Sequence, residues 1–352
     1  MTFKSLALRG SDVVARRARE LLRAFPLWEN DSPAAAPTTL EVWRPTDGMP
    51  VVLLRWLLTN WCNYRCPYCP QTHGRRVPKG DGMTAHAFDN FPLQQWQEAI
   101  DRHFAGYRLS VVITGGEPMV DRKNVPTLLN FLSAKPTVEC IRLDTNASWK
   151  PERYPDLDRS KLILMCTFHP SHVEESAFMV RIRALLDNGF KIGMVNYVMD
   201  ESNVPLFRAR RDKFAKLGVV LHPNPLWNQG GKYKEADLEL MKDALPEFDF
   251  VYRSGIGDPN GRICRYPAIA YEMDYRGIIK PGCMPAASSS FFDEKLPAQP
   301  PGPIPCPHHS CVCLDKYSFL EESERNITTN PLAVYSDLLK SRAKLQGAEL
   351  PG

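Results

Sequence analysis

Three features are missing from this 352-residue sequence, and each absence narrows its function. It has no apolar N-terminal leader and no run of about 18 uncharged apolar residues, so it predicts neither secretion nor a membrane span. It also lacks a dense run of Lys and Arg, and its formal net charge is only +4, which argues against nucleic acid as its main partner. We therefore expect a cytoplasmic protein whose mild basic excess suits an acidic electron donor.

The 10 cysteines are distributed unevenly along the chain. In a reducing compartment we expect them to be metal ligands and core thiols rather than disulfides. Cys140 and Cys166 lie inside apolar runs and are predicted to be buried core thiols. The others form two groups: Cys62, Cys66 and Cys69, and then Cys264, Cys283, Cys306, Cys311 and Cys313.

Apolar, β-rich runs recur between residues 51 and 227 and alternate with stretches that are mostly long enough for helices. Six strands are predicted: VVLLRWLLT, LSVVITG, ECIRLDT, KLILMCTF, FKIGMVNYVM and GVVLHPNPLW. Helical patterning is clearest in AFMVRIRALLDNG and LFRARRDKFAKLG. Repeated βα units predict an α/β fold with a parallel sheet, either a partial barrel or an open doubly wound sheet. Both architectures place a ligand at the carboxyl ends of the strands.

The flanking segments differ in composition from these units. Residues 1–26 predict an amphipathic helix that packs across the main domain, with a membrane-surface anchor as the alternative. Residues 29–50 resemble a connecting stretch with a short strand at TLEVW, and residues 232–250 predict a helix. Residues 255–325 are rich in Gly, Pro and Cys, which favours a small domain held together by metal. The predicted parts are an N-terminal helix and linker (1–50), the main domain (51–227), a Cys-rich domain (228–325) and a C-terminal helix or tail (326–352).

The first cysteine group follows directly on the first predicted strand, in LLTNWCNYRCPYCP. Zinc held by four cysteines usually shows two CxxC pairs, and no second pair lies nearby. Three thiolates in one short loop suit three corners of a [4Fe–4S] cluster, with the fourth iron open to an external ligand. A structural zinc site remains the alternative.

The spacing CxxxCxxC, with Tyr68 before the last cysteine, resembles the signature of radical S-adenosylmethionine (radical SAM) enzymes. The resemblance implies that SAM binds the open iron and that the main domain is a partial (β/α)6 TIM-like barrel. The second predicted strand ends in TGGEP, which resembles the SAM-binding GGEP motif of that family and implies SAM contacts by Gly115, Gly116, Glu117 and Pro118. Glycines let a backbone approach a ligand closely, and a carboxylate can accept hydrogen bonds from the methionine ammonium.

Later strand ends match the family less closely. Thr145 and Asn146 resemble the pair that binds the ribose or carboxylate of SAM, although Asn after a strand is also an ordinary turn former. Thr167 and His169, in CTFHP, are further candidates for SAM or substrate contacts. In the fifth strand only the apolar character matches, and residues Val195 to Tyr197 are candidates to contact adenine.

The second cysteine group resembles the SPASM/twitch extensions of radical SAM enzymes, which bind auxiliary Fe–S clusters. Cys264, a hairpin in DYRGIIKPGC and Cys283 match that pattern, but CPHHSCVC does not close with the usual CxxC. The resemblance implies one auxiliary [4Fe–4S] cluster held by Cys264, Cys283 and two of Cys306, Cys311 and Cys313. A zinc site built from the same thiols, or with His308 or His309, is the alternative.

One of these three C-terminal cysteines would not be a cluster ligand, and its thiol has three interpretations. It could replace another ligand, have no role beyond structure, or donate a hydrogen atom to a substrate radical. Cys311 and Cys313 are therefore candidate catalytic residues, and the phenol of Tyr197 is a further candidate donor.

The resemblance implies an enzyme that cleaves SAM reductively to a 5′-deoxyadenosyl radical, which abstracts hydrogen from a small molecule. A sugar or another polar metabolite is the expected substrate, for dehydrogenation or epimerisation, with a flavodoxin- or ferredoxin-like electron donor. The alternative is a peptide-modifying enzyme, although the first 50 residues are too few for a winged-helix peptide-recognition domain. A non-catalytic Fe–S protein is an alternative of another class. The three-cysteine site argues against it, because an electron carrier gains by saturating its cluster with four protein ligands.

Overall fold

The computed structural model describes residues 49–69, 85–226, 233–245, 247–253, 255, 257–284, 287–311 and 319–320. Some predictions lie outside these residues: the helix over 1–26, the strand at TLEVW, the C-terminal helix or tail, and the placement of Cys313.

All six strands predicted from apolar runs are present. They are β1 (Val51–Thr59), β2 (Arg108–Gly115), β3 (Val138–Thr145), β4 (Leu162–Phe168), β5 (Lys191–Met199) and β6 (Leu221–Pro225). Each pairs in parallel with the next along the chain, so their order in the sheet is their order in the sequence. The α/β fold is therefore confirmed, and this strand order is that of the predicted partial (β/α)6 barrel.

Helices occupy most of the connections between these strands, and further helices follow β6. They are α1 (Ala87–Asn90), α2 (Leu93–Phe104), α3 (Asn124–Ser133), α4 (Glu175–Asp187), α5 (Phe207–Ala215), α6 (Glu235–Ala244), α7 (Glu247–Arg253) and α8 (Tyr266–Ile269). The single helix predicted over 232–250 is two helices, because Leu245 is extended (φ −120°, ψ 144°). Leu245 precedes Pro246 in the sequence, and a residue before proline is disfavoured in the helical region. None of the described helices has the length and apolar character that crossing a membrane requires.

One face of the sheet packs against the helices and forms the main core. Trp56 on β1 lies with its ring centroid 4.7 Å from that of Trp96 on α2. Phe168 at the end of β4 stacks on Phe178 of α4, with centroids 4.8 Å apart. Because side chains alternate along a strand, the residues between these core positions point to the opposite face, which we call the inner face.

The inner face carries buried polar groups beside apolar ones. Arg142 on β3 is completely buried, and its Nε donates to Oδ1 of Asp144 over 2.7 Å. Cys140 packs with Met165 and Met194 in a small separate cluster. Cys140 is 6% exposed and Cys166 is fully buried, which confirms both as buried thiols.

The Gly- and Cys-rich part of the chain adds short strands. They are β7 (Ile263–Cys264), β8 (Ala270–Asp274), β9 (Ile278–Pro281), β10 (Ser289–Ser290) and β11 (Ile304–Pro305). β8 pairs in parallel with β1, and β9 and β10 continue antiparallel beyond it. The predicted hairpin turns at Gly277 (φ +75°), whose N–H donates to the Asp274 carbonyl over 3.0 Å. This hairpin extends the sheet of the main domain, while the predicted boundary at residue 228 stays a prediction.

Candidate functional site

The loop that leaves β1 carries Cys62, Cys66 and Cys69, and the end of β2 fixes its first residues. The Gly116 N–H donates to the Thr59 carbonyl over 2.7 Å. The next amide, Glu117 N–H, donates to the Trp61 carbonyl over 2.8 Å. These bonds hold the residue before Cys62 against the turn that follows β2.

The two glycines of TGGEP make this close contact possible. A Cβ at Gly115, whose φ is +147°, would lie 2.1 Å from the Thr59 carbonyl oxygen. A Cβ at Gly116 would lie 2.0 Å from the carbonyl oxygen of Trp61. From the sequence, these glycines are predicted to let a ligand approach the backbone closely. In the structure, the space that they leave is filled by the backbone of Thr59 at the end of β1 and of Trp61 at the start of the cysteine loop.

Glu117 is buried and joins the end of β2 to the end of β3. Its carboxylate accepts hydrogen bonds from the Thr145 hydroxyl (2.9 Å), the Asn146 amide (2.6 Å) and the Met119 amide (3.1 Å). Burial raises the pKa of Glu117 to about 7, although these hydrogen bonds oppose the rise. Pro118 is buried beside it as the first residue of a short 3₁₀ turn. The described hydrogen bonds of Glu117 thus run to the protein itself rather than to an open face.

The end of β3 also touches the cysteine loop directly. Nδ2 of Asn146 donates to Oδ1 of Asn63 over 2.9 Å and lies 3.8 Å from the Cys62 sulfur. Asn63 in turn donates to the Ser148 hydroxyl over 2.9 Å. The Thr145–Asn146 pair singled out from the sequence therefore connects Glu117 on one side to the cysteine loop on the other.

The end of β4 reaches the same loop through a histidine. Nδ1 of His169 lies 3.0 Å from the Tyr68 hydroxyl and 3.5 Å from the Cys66 sulfur. Burial lowers the pKa of His169 to about 4, so the imidazole is neutral at pH 7. Thr167 lies two residues earlier, half-buried, on the inner face.

The three thiols of the loop fit an iron–sulfur cluster by their chemistry. Burial raises the pKa of Cys66 to about 11 and also raises that of Cys62, and the neighbouring thiols contribute to both shifts. A bound metal would reverse these shifts, because a coordinated thiol is deprotonated. Among the described residues, no three His, Cys, Asp or Glu side chains form a ready-made group for a single metal ion. Thiolates are the usual ligands of Fe–S clusters, so the cysteine set suits such a cluster.

The structure corrects two predictions on β5. Val195 and Tyr197 belong to the main core on the helix-covered face, and both are completely buried. The Tyr197 hydroxyl donates to the Asn203 carbonyl over 2.8 Å, and its ring lies 5.8 Å from that of Phe207. Neither side chain faces the inner side, where adenine contact or hydrogen donation was expected. Asn196, between them, points to the inner face instead.

A second site brings together four cysteines from different segments. Cys264, Cys283, Cys306 and Cys311 all line one cavity of about 50 Å³. Cys264 lies on β7, which pairs with β11 just before Cys306, and Cys283 follows β9. Burial raises the pKa of Cys264 to about 12, and the thiols of Cys306 and Cys283 raise it further. The four thiols are the donor set that a [4Fe–4S] cluster takes.

Of the two histidines considered as zinc ligands, His308 lies at the cavity and His309 does not. His308 lines the cavity, but its Nε2 donates to the Cys283 carbonyl over 2.9 Å, so that nitrogen is engaged. His309 pairs with Asp258 over 3.2 Å and is not among the cavity-lining residues.

Four residues around the first site were not predicted. Asn63 and Tyr64 lie between the cysteines, while His172 and Arg181 follow β4. Arg181 donates to the Tyr64 hydroxyl over 2.8 Å. The tyrosines between the cysteines in CNYRCPYC are a sequence signal for Tyr64, and the paired histidines in HPSH are one for His172, whereas neither pattern indicates Asn63 or Arg181.

The comparisons with known proteins concern the part of the chain that carries the three-cysteine loop and the neighbouring strand ends. Residues 56–171 match the family model of the Radical SAM superfamily. That segment includes Cys62, Cys66, Cys69, Glu117, Asn146 and His169. This part of the chain is therefore similar to that superfamily, and the match ends before the C-terminal cysteines.

Curated relatives are named GTP 3′,8-cyclase. The protein from Desulforamulus reducens is 32% identical over 109 residues, which cover 31% of this chain and 31% of that protein. The protein from Xanthomonas campestris pv. campestris is 34% identical over 105 residues, 29% of this chain and 28% of that protein. The chain spans about a third of the length of the curated relatives that it matches.

Two solved structures are also similar. One is anSMEcpe with bound AdoMet, with a TM-score of 0.48, 15% identity, and coverage of 66% of this chain and 71% of that chain. The other is BtrN in complex with AdoMet and 2-DOIA, with a TM-score of 0.33, 13% identity, and coverage of 84% and 89%. At these values the likenesses carry no inference about function.

Proposed function

We propose that this protein is a radical SAM enzyme acting on a small polar molecule. The observation that carries the proposal is the meeting of three strand ends at the cysteine loop. Gly116 and Glu117 bind its backbone, Asn146 contacts Asn63 and Cys62, and His169 contacts Cys66.

When held at this loop by Cys62, Cys66 and Cys69, a [4Fe–4S] cluster with SAM would supply one-electron cleavage of the SAM C5′–S bond and, through it, abstraction of hydrogen from the substrate. The protein's own residues hold the loop in place for this chemistry. Glu117 and Thr145 join the strand ends beneath it, so the three cysteines are presented from a fixed position. The electron would come from a flavodoxin- or ferredoxin-like donor.

The C-terminal cavity is our reason for proposing an auxiliary [4Fe–4S] cluster. We assign its ligands as Cys264, Cys283, Cys306 and Cys311, because these four line one cavity. Cys311 then serves as a ligand rather than as a hydrogen donor, and Cys313 is the spare thiol. When bound there, such a cluster would supply an acceptor for the electron that a substrate radical loses, together with a proton, in a dehydrogenation, so the assignment favours dehydrogenation over epimerisation.

The polar residues of the inner face are our reason for proposing a polar substrate. Thr167, Asn196 and His222 are register partners across β4, β5 and β6, so they form a row of polar side chains. Asn196 is 4% exposed, and its Oδ1 has no hydrogen-bond partner among the described residues. A buried acceptor of this kind costs free energy unless a donor reaches it, such as a substrate hydroxyl or amino group.

The substrate named for the GTP 3′,8-cyclases is not carried over, since the similarity covers about a third of each chain. A peptide substrate remains the alternative. Cytoplasmic location and the absence of a nucleic-acid partner stay predictions from composition.

The test is anaerobic reconstitution followed by iron and sulfide counts and an assay for 5′-deoxyadenosine with dithionite and SAM. Wild type should hold about eight irons and cleave SAM, because two cubane clusters are expected. The triple variant Cys62→Ala, Cys66→Ala, Cys69→Ala should hold about four irons and form no 5′-deoxyadenosine.

The matched control is the double variant Cys140→Ala, Cys166→Ala, which removes thiols of the buried core rather than of the loop. It should keep both the iron and the cleavage. Cleavage of SAM by the triple variant would overturn the proposal, and so would a wild type that binds iron but never forms 5′-deoxyadenosine.

A further inference from the structure

Two tyrosine–histidine pairs fasten the cysteine loop to the segment after β4. The ring of Tyr68 stacks on His169, with centroids 6.0 Å apart and planes 9° apart. The ring of Tyr64 stacks on His172, with centroids 4.8 Å apart and the same interplanar angle of 9°. We call these four residues the tyrosine–histidine clamp.

The two pairs differ in where the tyrosine hydroxyl points. The Tyr64 hydroxyl accepts from Arg181 on α4 over 2.8 Å. The Tyr68 hydroxyl lies 3.0 Å from Nδ1 of His169 and 3.4 Å from the Ser171 hydroxyl, and its hydrogen bonding opposes the rise in the pKa of the Cys66 thiol. Nδ1 of His169 is itself 3.5 Å from the Cys66 sulfur. The clamp thus has one pair that reaches a cysteine sulfur and one that binds α4.

We infer that Tyr68 and His169 are positioning residues whose hydrogen bonds end on the Cys66 sulfur and raise the reduction potential of the cluster held there. The inference rests on the proposed function, since it requires a cluster at this loop.

Hydrogen-bond chemistry gives the direction of the effect. A thiolate sulfur can only accept, so the Tyr68 hydroxyl must donate to it. Nδ1–H of His169 then donates to the Tyr68 oxygen or to the sulfur. Reduction adds negative charge to the cluster, and donors aimed at a ligand sulfur stabilise the more negative state more strongly. Loss of either donor should therefore lower the potential.

The experiment is a redox titration of the full chain, reconstituted with iron and sulfide and followed by EPR. The cluster at this loop is identified as the signal that changes when SAM is added. Tyr68→Phe keeps the stacked ring and removes only the hydroxyl, and His169→Phe keeps an aromatic ring without the Nδ1 donor. Each should make reduction harder by up to about tenfold, which for a one-electron couple is about 59 mV.

Tyr64→Phe is the matched control, because it removes a hydroxyl of the same loop that binds Arg181 rather than a sulfur, and the Tyr64 amide keeps its hydrogen bond to the Cys62 sulfur. His172→Phe is the corresponding control for His169→Phe. Both should leave the potential unchanged.

An unchanged potential in Tyr68→Phe with a full iron count would overturn the inference, as would an equal shift in Tyr64→Phe. If His169→Phe loses iron, Tyr68→Phe still decides, because it leaves the packing of the clamp intact. Absence of any SAM-responsive signal in the wild type would instead contradict the proposed function, so the two failures are distinguishable.

Discussion

Cys62, Cys66 and Cys69 come from one short loop, whereas the four cysteines of the C-terminal cavity are spread over residues 264–311. The loop is held by backbone bonds from the end of β2 and by side chains after β3 and β4. The cavity is assembled from β7, the segments after β9 and β11, and the chain near Cys311. The first site therefore depends on its neighbouring strands, while the second depends on the chain folding back on itself.

This difference predicts where each site is vulnerable. A change at a strand end should disable the loop without removing any cysteine. In the cavity, the most damaging change should be the removal of a cysteine itself. The four cysteines come from separate segments, so no single neighbouring turn positions all of them.

The largest effect is expected for Gly116→Ala. The added Cβ would meet the Trp61 carbonyl at 2.0 Å, closer than any real contact, so the cysteine loop must move. Overpacking of this severity costs about 3 kcal/mol or more. We expect loss of about four irons and of 5′-deoxyadenosine formation, measured by iron count and product assay.

Gly106→Ala is the control for that change, since nothing lies within 4 Å of a Cβ there. It should retain both iron and activity. A Gly116→Ala protein with wild-type iron and cleavage would show that the contact with the loop is dispensable.

The second-largest effect is expected for Cys311→Ser, and Cys313→Ser is the variant with which it is compared. Cys311→Ser should lose about four irons, because Cys311 lines the cavity, while Cys313→Ser should keep them. Both should still cleave SAM, since the loop after β1 is intact. Iron loss in Cys313→Ser but not in Cys311→Ser would reverse the ligand assignment.

The two sites also differ in how far sequence alone could describe them. The strands were predictable because parallel strands covered by helices are apolar along most of their length. Because such a strand is apolar on both faces, its sequence does not show which face a side chain occupies. Val195 and Tyr197 were therefore predicted at the inner face, whereas they lie on the helix-covered face. An alternating strand would have shown the face directly.

Long-range pairing was the second limit. Nothing in the local pattern of Ala270–Asp274 indicates that it joins β1, some 200 residues earlier in the chain. The glycines of TGGEP were found as a motif, but their contact with Thr59 and Trp61 depends on how β1 and β2 end side by side. The break between α6 and α7, in contrast, was available from Pro246 and was missed.

A smaller effect should appear in the pH dependence of the metal-free protein. The pKa of Glu117 is raised by burial to about 7 from an ordinary value of 4.5. A folded pKa above the unfolded one gives stability that is complete below pH 4.5 and lost as pH rises through 7. Urea unfolding midpoints should therefore fall across that window more steeply in the wild type than in Glu117→Gln, which cannot titrate.

Glu152→Gln changes an exposed carboxylate and should leave the wild-type profile in place. Parallel pH profiles of wild type and Glu117→Gln would contradict the assignment of this slope to Glu117.

The smallest effect on activity is expected for Tyr197→Phe, and it separates the inner face from the helix-covered face. The lost hydroxyl donates to the Asn203 carbonyl and contacts Arg210, so its removal should cost about 1 kcal/mol of stability. SAM cleavage and substrate turnover should stay at wild-type levels, because the phenol lies among the helices. Loss of turnover with unchanged stability would mean that the phenol reaches the substrate after all.

Asn196→Ala is the contrasting variant at the neighbouring residue. The Asn196 carboxamide faces inward, so substrate turnover should fall while SAM cleavage without substrate continues.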